Sequence, residues 1–222
     1  DVIDTDAQAL QRIVLAGKMT IGVKRTRGLG CGGDSSLGRQ CMEAAKRSLI
    51  KKIDGADVVL LVVGLGGGLG TGAASVLAST AHENGSLVIA LALMPFECEG
   101  HRRIEQARSG LKQLRETADA VVCLANQHVL ELHGEDKTAQ ETFEAANTLV
   151  LQGAVGIGRL LKADGLLTAG LADLRAVLDG RNAESALAAA EAIGRNRHRA
   201  LIEQLRTHPF MEKGRVMKEA DA

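Results

Sequence analysis

The 222-residue chain carries 27 basic and 27 acidic side chains, so it presents no overall basic field for nucleic acid or acidic lipid. Three Phe with no Tyr or Trp leave no stacking platform for single-stranded nucleic acid, and the longest apolar run, Leu87 to Met94, is far too short for direct insertion across a membrane. Four cysteines (Cys31, Cys41, Cys98, Cys123) lack a C-x-x-C pair and six histidines lack a ligand spacing, so no metal site is read and the cysteines are expected to be small buried apolar residues in a reducing cytoplasm.

Residues 1–35 read as loops around a little regular structure. Asp4-Thr5-Asp6-Ala7-Gln8-Ala9-Leu10 opens a helix, with Thr5 or Asp6 as its cap. A glycine cluster follows at Thr26-Arg27-Gly28-Leu29-Gly30-Cys31-Gly32-Gly33-Asp34, in which Gly28, Gly30 and Gly33 match G-x-G-x-x-G. A dinucleotide fingerprint needs a buried strand before it and an acidic residue closing the next strand. Only Ile21-Gly22-Val23 precedes, and the next strand ends at Gly64, so the match is discounted.

From Ser36 the pattern becomes regular. Leu37, Cys41, Ala45, Leu49 and Ile53 recur at helical spacing until Asp54-Gly55 breaks the helix. An unbroken apolar strand, Val58 to Val63, then delivers Gly64-Leu65-Gly66-Gly67-Gly68-Leu69-Gly70-Thr71-Gly72, and a helix is predicted from about Ala73 to Glu83. A strand, a loop almost free of side chains and a helix N-terminus describe a phosphate cradle. Successive backbone N–H groups line a concavity, and the helix dipole adds partial positive charge. A bare strand-to-helix turn would need one or two glycines, and this stretch has six. It lacks the Lys-Ser/Thr ending of G-x-x-x-x-G-K-[ST], so no lysine is supplied locally to a γ-phosphate.

Strand Leu87–Leu93 stops at Pro95, Ile104, Ala107, Leu111 and Leu114 mark another helix, and Ala120–Leu124 another strand. Short strands, apolar on both faces and alternating with helices, indicate a parallel sheet covered on both sides. A long helix runs from about Thr138 to Leu161, burying Phe143, Ala146, Val150, Ala154, Ile157 and Leu160 or Leu161. Gly153, Gly156 and Gly158 inside it cost about 1 kcal/mol each, which predicts close approach to other backbone. Helices at Ala172–Leu178 and Asn196–Thr207 follow, the second stopped near Pro209. The fold class is α/β: a parallel-sheet nucleotide-binding domain (1–137), a central linking helix (138–165) and a partial α+β second domain (166–222).

The glycine loop resembles the G-G-G-T-G-[ST]-G signature of the tubulin/FtsZ family, within the A-G-M-G-G-G-T-G-T-G-A-A of its bacterial branch. Leu69 stands where that family usually has a threonine hydroxyl near the phosphates. The likeness continues in order along the chain. Asp4–Leu10 is similar to N-T-D-x-Q-x-L, Thr26–Asp34 to T-R-G-L-G-A-G-G-N, and Pro95–Arg103 to P-F-x-F-E-G-x-x-R. By this resemblance Gly30, Gly32, Gly33, Gly66, Gly67, Gly68, Gly70, Thr71 and Gly72 surround the phosphates of GTP or GDP. Glu99 accepts from the ribose hydroxyls, Arg103 lies by sugar and phosphates, and Asn126 sits beside sugar and base. A carboxylate and a guanidinium suit those partners, although Glu99 and Arg103 also read as a surface i, i+4 pair worth tenths of a kcal/mol.

Phe143-Glu144-Ala145-Ala146-Asn147 resembles F-x-x-A-N, which implies that Phe143 stacks on the purine and Asn147 reads the guanine edge. Alone, Phe143 reads as core; its register with the other segments makes it a base platform. After the central helix the family carries N-x-D-x-x-D, on a loop that reaches the next subunit's nucleotide. Here only Asp173 matches, with Thr168 for Asn and Gly170 for the first Asp. Losing a positioned acid–base group costs on the order of 100- to 10,000-fold.

The resemblance implies a GTP-binding, GTP-hydrolysing protein of bacterial cell division that assembles head to tail as a homopolymer, with magnesium held through the phosphates and with division-site adaptor proteins as further partners. A non-hydrolysing paralogue that scaffolds or regulates filaments is the first alternative, favoured by Leu69 and the degenerate loop. A dinucleotide-dependent oxidoreductase, argued only from Gly28, Gly30 and Gly33, is the second. The family also places a strand and a glycine turn ahead of the segment matching Asp4, and further strands after the last helix, so the chain is expected to be a fragment of a longer one. Glu184–Ile193 reads as helix by propensity, but Glu184-Ser185-Ala186-Leu187 resembles the G-S-A-L/M that opens the second domain's sheet, and strand is the expectation.

Overall fold

The computed structural model describes residues 1–133, 138–162, 170–178, 184–188, 190–208 and 211. Its centre is a parallel sheet in the order β3-β4-β5-β6, formed by Val58–Gly64, Leu87–Met94, Ala120–Ala125 and Glu184–Ser185. The register runs from Val58 opposite Leu87 to Gly64 opposite Leu93, and from Ile89 opposite Ala120 to Met94 opposite Ala125. Two further strands, β1 (Val2–Asp4) and β2 (Lys18–Thr20), pair parallel as a separate sheet. Among the described residues, β1, β2, β3 and β6 each keep one edge unpaired.

Period-two alternation decides which face of the sheet each helix can use. Along β4, Val88, Ala90 and Ala92 share a core with α4 (Gly68–Glu83) and α5 (His101–Arg115), supplied by Ala74, Ala78, Ala107 and Leu114. The larger Leu87, Ile89 and Leu91 point the other way. They meet α7 (Ala139–Lys162) and α8 (Leu171–Leu178) through Ala146, Val150, Ile157, Leu171 and Leu174. Small residues therefore lie where two helices crowd one face, and six consecutive residues of β4 are buried. A third core joins α3 (Ser35–Ile53) to α4 through Cys41, Met42, Leu49, Val76 and Leu77, with Ile3 of β1 and Met19 of β2 against it. The sheet is covered on both faces, as the alternating pattern predicts. No helix among the described residues is long and apolar enough to cross a membrane.

α4 starts at Gly68, not near Ala73, so five residues expected in the loop belong to the start of the helix. The reason is steric. A Cβ on Gly70 would lie 2.0 Å from the Gly64 carbonyl oxygen, and one on Gly72 would lie 1.9 Å from that of Ser35. A Cβ on Gly38 of α3 would lie 2.3 Å from the Gly68 oxygen, and one on Gly110 of α5 would lie 2.5 Å from Thr71 Cγ2. These glycines let three helices and a strand end converge; loop flexibility is not their role.

Other expectations shift. Asp6, not Thr5, caps α1 (Ala7–Arg12), its carboxylate accepting from Gln8 and Ala9 N–H groups at 2.9 Å each. Strands β1 and β2, helix α2 (Val23–Thr26) and helix α6 (Asn126–His133) have too few residues to show a period. The segment from Glu184 is a strand, two residues long, that pairs with Val121 and Val122 of β5 and so extends the existing sheet. Gly153 of α7 lies against the Leu187 side chain, not backbone, and Gly158 faces open space. Cys31 and Cys41 are buried, but Cys123 is only partly so and Cys98 is exposed, because it occupies a short 3₁₀ turn, Glu97–Glu99, outside the core. Helix α9 (Arg197–Thr207) follows Asn196 as expected, and Pro209 lies outside the described residues.

Two substitutions separate these roles. Gly72→Ala drives a methyl into the α3 backbone and should cost roughly 3 kcal/mol. Gly158→Ala meets nothing within 4 Å and should gain about 1 kcal/mol from helix propensity. Urea midpoints of the two variants, at unchanged m-value, check the contrast.

Candidate functional site

In a parallel sheet every strand ends at the same edge, so the loops after β3, β4 and β5 gather there. Leu65 N–H donates to the Leu93 oxygen at 2.9 Å, which holds the first of these loops to the end of β4. Gly66 then takes φ 95°, a conformation that suits glycine. Its N–H donates to Thr71 Oγ1 at 2.9 Å, and Thr71 is buried. Thr71 therefore braces the loop from inside the helix. Gly67 is the helix N-cap and has no atom within 4 Å of where a Cβ would be. The first N–H groups of α4 lack intrahelical partners, so the open side of Gly67 is where an anion would meet them. Leu69 turns away and packs against the α3–α4 core.

The second glycine loop, after α2, forms the facing wall. Gly28, Gly30, Gly32 and Gly33 all have φ between 56° and 85°, and Gly32 and Gly33 have open space where a side chain would stand. Asp34 ends the loop by capping α3, accepting from Ser36 and Leu37 N–H at 2.9 and 3.1 Å. The two loops are tied by a residue that sequence reasoning missed. Gln106 Nε2 donates to the Gly33 oxygen at 3.0 Å and to the Gly67 oxygen at 3.1 Å. Its position one turn beyond Arg103 on α5 was the available signal, but a lone Gln on an amphipathic helix has no distinctive spacing.

The loop after β4 closes the third side. A Cβ on Gly66 would lie 3.0 Å from the Arg103 oxygen, so the start of α5 rests on the cradle. Glu99 Oε1 accepts from Phe96 N–H at 2.8 Å, and Glu99 Oε2 lies 3.0 Å from Arg103 Nη1. The i, i+4 pair read from the sequence is thus formed, and it holds Glu99 half-buried at the rim. Phe143, at the head of α7, packs edge-on against buried Phe96, with centroids 4.7 Å apart and planes at 79°. Phe143 itself stays 43% exposed, which leaves ring surface free for a planar ligand. Phe96 is the second residue that sequence reasoning gave no role.

Asn126 begins α6 directly after β5 and is 5% exposed, yet among the described residues its Oδ1 has no hydrogen-bond partner. A buried amide oxygen without a donor costs about 1–3 kcal/mol, so a ligand hydroxyl or N–H in that position would be favoured. Asn147, one turn after Phe143, is exposed.

Of the three remaining candidates, Gly170 and Asp173 lie elsewhere. Thr168 is outside the described residues. Gly170 precedes α8, and its N–H donates to Asp173 Oδ2 at 2.8 Å, so Asp173 caps the helix that carries it. α8 rests on Leu87, Ile89 and Ala120, at the starts of β4 and β5. Arg175 Nη2 donates there to the Gly85 oxygen at 3.0 Å. Strand length alone puts roughly 20 Å between that end and the glycine loops. Asp173 and the cradle therefore sit at opposite ends of one subunit.

Residues 2–134 match the family model described as the tubulin/FtsZ family, GTPase domain. The cell division protein FtsZ of Coxiella burnetii is 35% identical over 209 residues, covering 94% of this chain and 54% of that protein. The chain thus spans about half the length of that curated relative. Among solved structures, an empty FtsZ dimer from M. jannaschii superposes with a TM-score of 0.85 at 31% identity, covering 94% of this chain and 60% of the other. A GTPγS-bound protofilament of CetZ2 from Haloferax volcanii gives 0.62 at 29% identity, covering 68% and 46%.

If Gln106 clamps the two loops, Gln106→Ala removes two hydrogen bonds worth about 1 kcal/mol each. Amide exchange at Gly33 and Gly67 should then speed up by roughly five- to tenfold without a change in global stability of more than about 2 kcal/mol. Unchanged exchange at both glycines would remove Gln106 from the site.

Proposed function

The chain belongs to the tubulin/FtsZ family, and from that premise we propose that it binds GTP or GDP at the carboxyl edge of its sheet, assembles head to tail, and hydrolyses GTP between neighbouring subunits in bacterial cell division. The observation that carries this reading is the separation of Asp173 from the glycine loops. One subunit holds the two parts at opposite ends of its strands, and a second copy, stacked in the same orientation, brings one's Asp173 to the other's cradle. Unlike surfaces that meet without closing a ring generate a filament.

Within the cradle, the backbones of Gly30, Gly32, Gly33, Gly66, Gly67 and Gly68 would line the phosphates. Gly70, Thr71 and Gly72 would act from beneath, by setting how close α4 comes. Phe143 would stack on the base, Asn147 would read the guanine edge, Asn126 Oδ1 would accept from a ligand N–H or hydroxyl, and Glu99 and Arg103 would take the ribose and phosphate side. Magnesium would accompany the triphosphate. Phosphate oxygens and water would supply its ligands.

A second reading, a filament scaffold that binds GTP without turnover, has its own observation. The Asp173 carboxylate is engaged by the Gly170 N–H, and Gly170 offers no side chain. Positioning of the attacking water would then rest on a single occupied carboxylate.

Two measurements test these roles. Asn147→Leu should erase the preference for GTP over ATP and weaken GTP binding by up to about 3 kcal/mol in titration calorimetry; equal GTP affinity in both proteins would exclude Asn147. Thr168→Asn combined with Gly170→Asp should raise turnover per assembled subunit by on the order of 100-fold. GTP affinity should stay near its starting value, because the altered loop serves a neighbour's nucleotide. A flat turnover rate in assembled protein would count against hydrolysis completed by this loop.

A further inference from the structure

Phe96 touches both halves of the proposed nucleoside subsite while offering almost no surface of its own, being 5% exposed. Its ring meets the Phe143 ring edge-on, with centroids 4.7 Å apart and planes at 79°. Its backbone meets Glu99 twice. The Phe96 N–H donates to Glu99 Oε1 at 2.8 Å, and the Phe96 oxygen accepts from the Glu99 N–H at 3.1 Å. Arg103 Nη1 holds the second carboxylate oxygen at 3.0 Å. The residue before it rests on the phosphate loop, since Pro95 Cγ lies 3.3 Å from where Gly66 would carry a Cβ. One short segment thus joins the base platform, the ribose acceptor and the anion cradle.

We propose that Phe96 is a positioning residue for the nucleoside half of the site: its ring fixes the plane of the Phe143 ring, and its N–H fixes the direction of the Glu99 carboxylate. The inference rests on the nucleotide reading above and deepens it. Perpendicular aromatic pairs favour a narrow range of geometries and contribute beyond the area they bury. Phe143 keeps 43% of its surface in solvent, and the buried Phe96 ring is the aromatic partner that restrains it. A platform already held in plane spares the cost of ordering it when a base stacks.

The two handles separate chemically. Replacing the Phe96 side chain removes the ring contact but leaves the backbone N–H and oxygen on Glu99. A change at this side chain therefore falls on base recognition and spares ribose recognition. That split is what a general loss of structure would not produce.

The test titrates the 222-residue chain with GTP, 2′-deoxy-GTP and inorganic triphosphate, unmodified and as Phe96→Leu, Phe143→Leu and the double variant. Phe96→Leu should weaken GTP binding by about three- to tenfold, the worth of one aromatic pair. Inorganic triphosphate affinity and the ratio of GTP to 2′-deoxy-GTP affinity should stay as in the unmodified chain. In the Phe143→Leu background the same substitution should change GTP affinity by less than about twofold, because the ring it positions is gone. Equal GTP affinity in Phe96→Leu overturns the proposal, as does weakening of all three ligands together. So does a loss that adds in full to that of Phe143→Leu. Should Phe96→Leu fail to fold, Phe96→Met keeps a flexible apolar filling without the ring and carries the same comparison. The unmodified chain gives an arm that needs no variant. With its three Phe isotope-labelled, GTP should shift the ring signals of Phe143 and Phe96 together, and a shift of Phe143 with Phe96 unmoved overturns the coupling. An unmodified chain that binds GTP no more tightly than inorganic triphosphate refutes the nucleoside reading itself. A chain that prefers GTP but shows additive losses refutes only the role of Phe96.

Discussion

The closeness with which α4 meets its neighbours governs this molecule. Its first two turns touch the end of β3, the start of α3 and the middle of α5, and at each contact a glycine replaces a side chain that would collide with backbone or a buried Thr. Helix-on-helix separation in ordinary packing is 8–10 Å and is set by the side chains at the contact. Removing those side chains draws α3, α4 and α5 into one tight layer. The loop after β3 then has no freedom left except at Gly66, which bends it, and at Gly67, which faces open space. The geometry of the candidate site follows from packing as much as from loop composition.

The same layer explains why sites from distant parts of the chain converge. Gln106 can bridge the two glycine loops only because Gly110, one turn along α5, lets that helix settle against Thr71. Phe96 and Phe143 meet because β4 delivers one from the sheet's carboxyl edge while α7, packed on the opposite face, delivers the other. Each contact joins elements more than thirty residues apart, and each depends on the alternation along β4 that sends small residues to one face and large ones to the other.

Much of this was legible from periodicity. The long apolar strands and α3, α5 and α7 have enough residues for a period to declare itself, and their boundaries fall within a few residues of expectation. β1, β2, α2 and α6 are three to eight residues long and show no period, so they were unreadable for a physical reason. The start of α4 was misplaced because glycine is ambiguous in sequence: it signals either a flexible turn or a crowded contact, and only the neighbours decide. For the site, the glycine loops and the Glu99–Arg103 spacing were visible, since local register encodes them. The orphan oxygen of Asn126 and the double hydrogen bond of Gln106 were not, because both are defined by atoms from other elements. Cys98 was misassigned to the core on residue type alone, whereas its surroundings put it on an exposed turn.

The unpaired edge of β3 has a consequence for how the protein behaves in solution. Val58–Gly64 runs seven residues without a proline or a charge, and Val62 is half exposed beside a row of backbone groups that no strand among the described residues satisfies. Natural sheets blunt such edges with lysine, proline or a bulge; here none is present. The strand is therefore a template onto which any extended apolar segment can hydrogen-bond, including the same strand from another molecule. Such an edge would let the 222-residue chain pair strand to strand at high concentration, along a surface separate from the glycine loops.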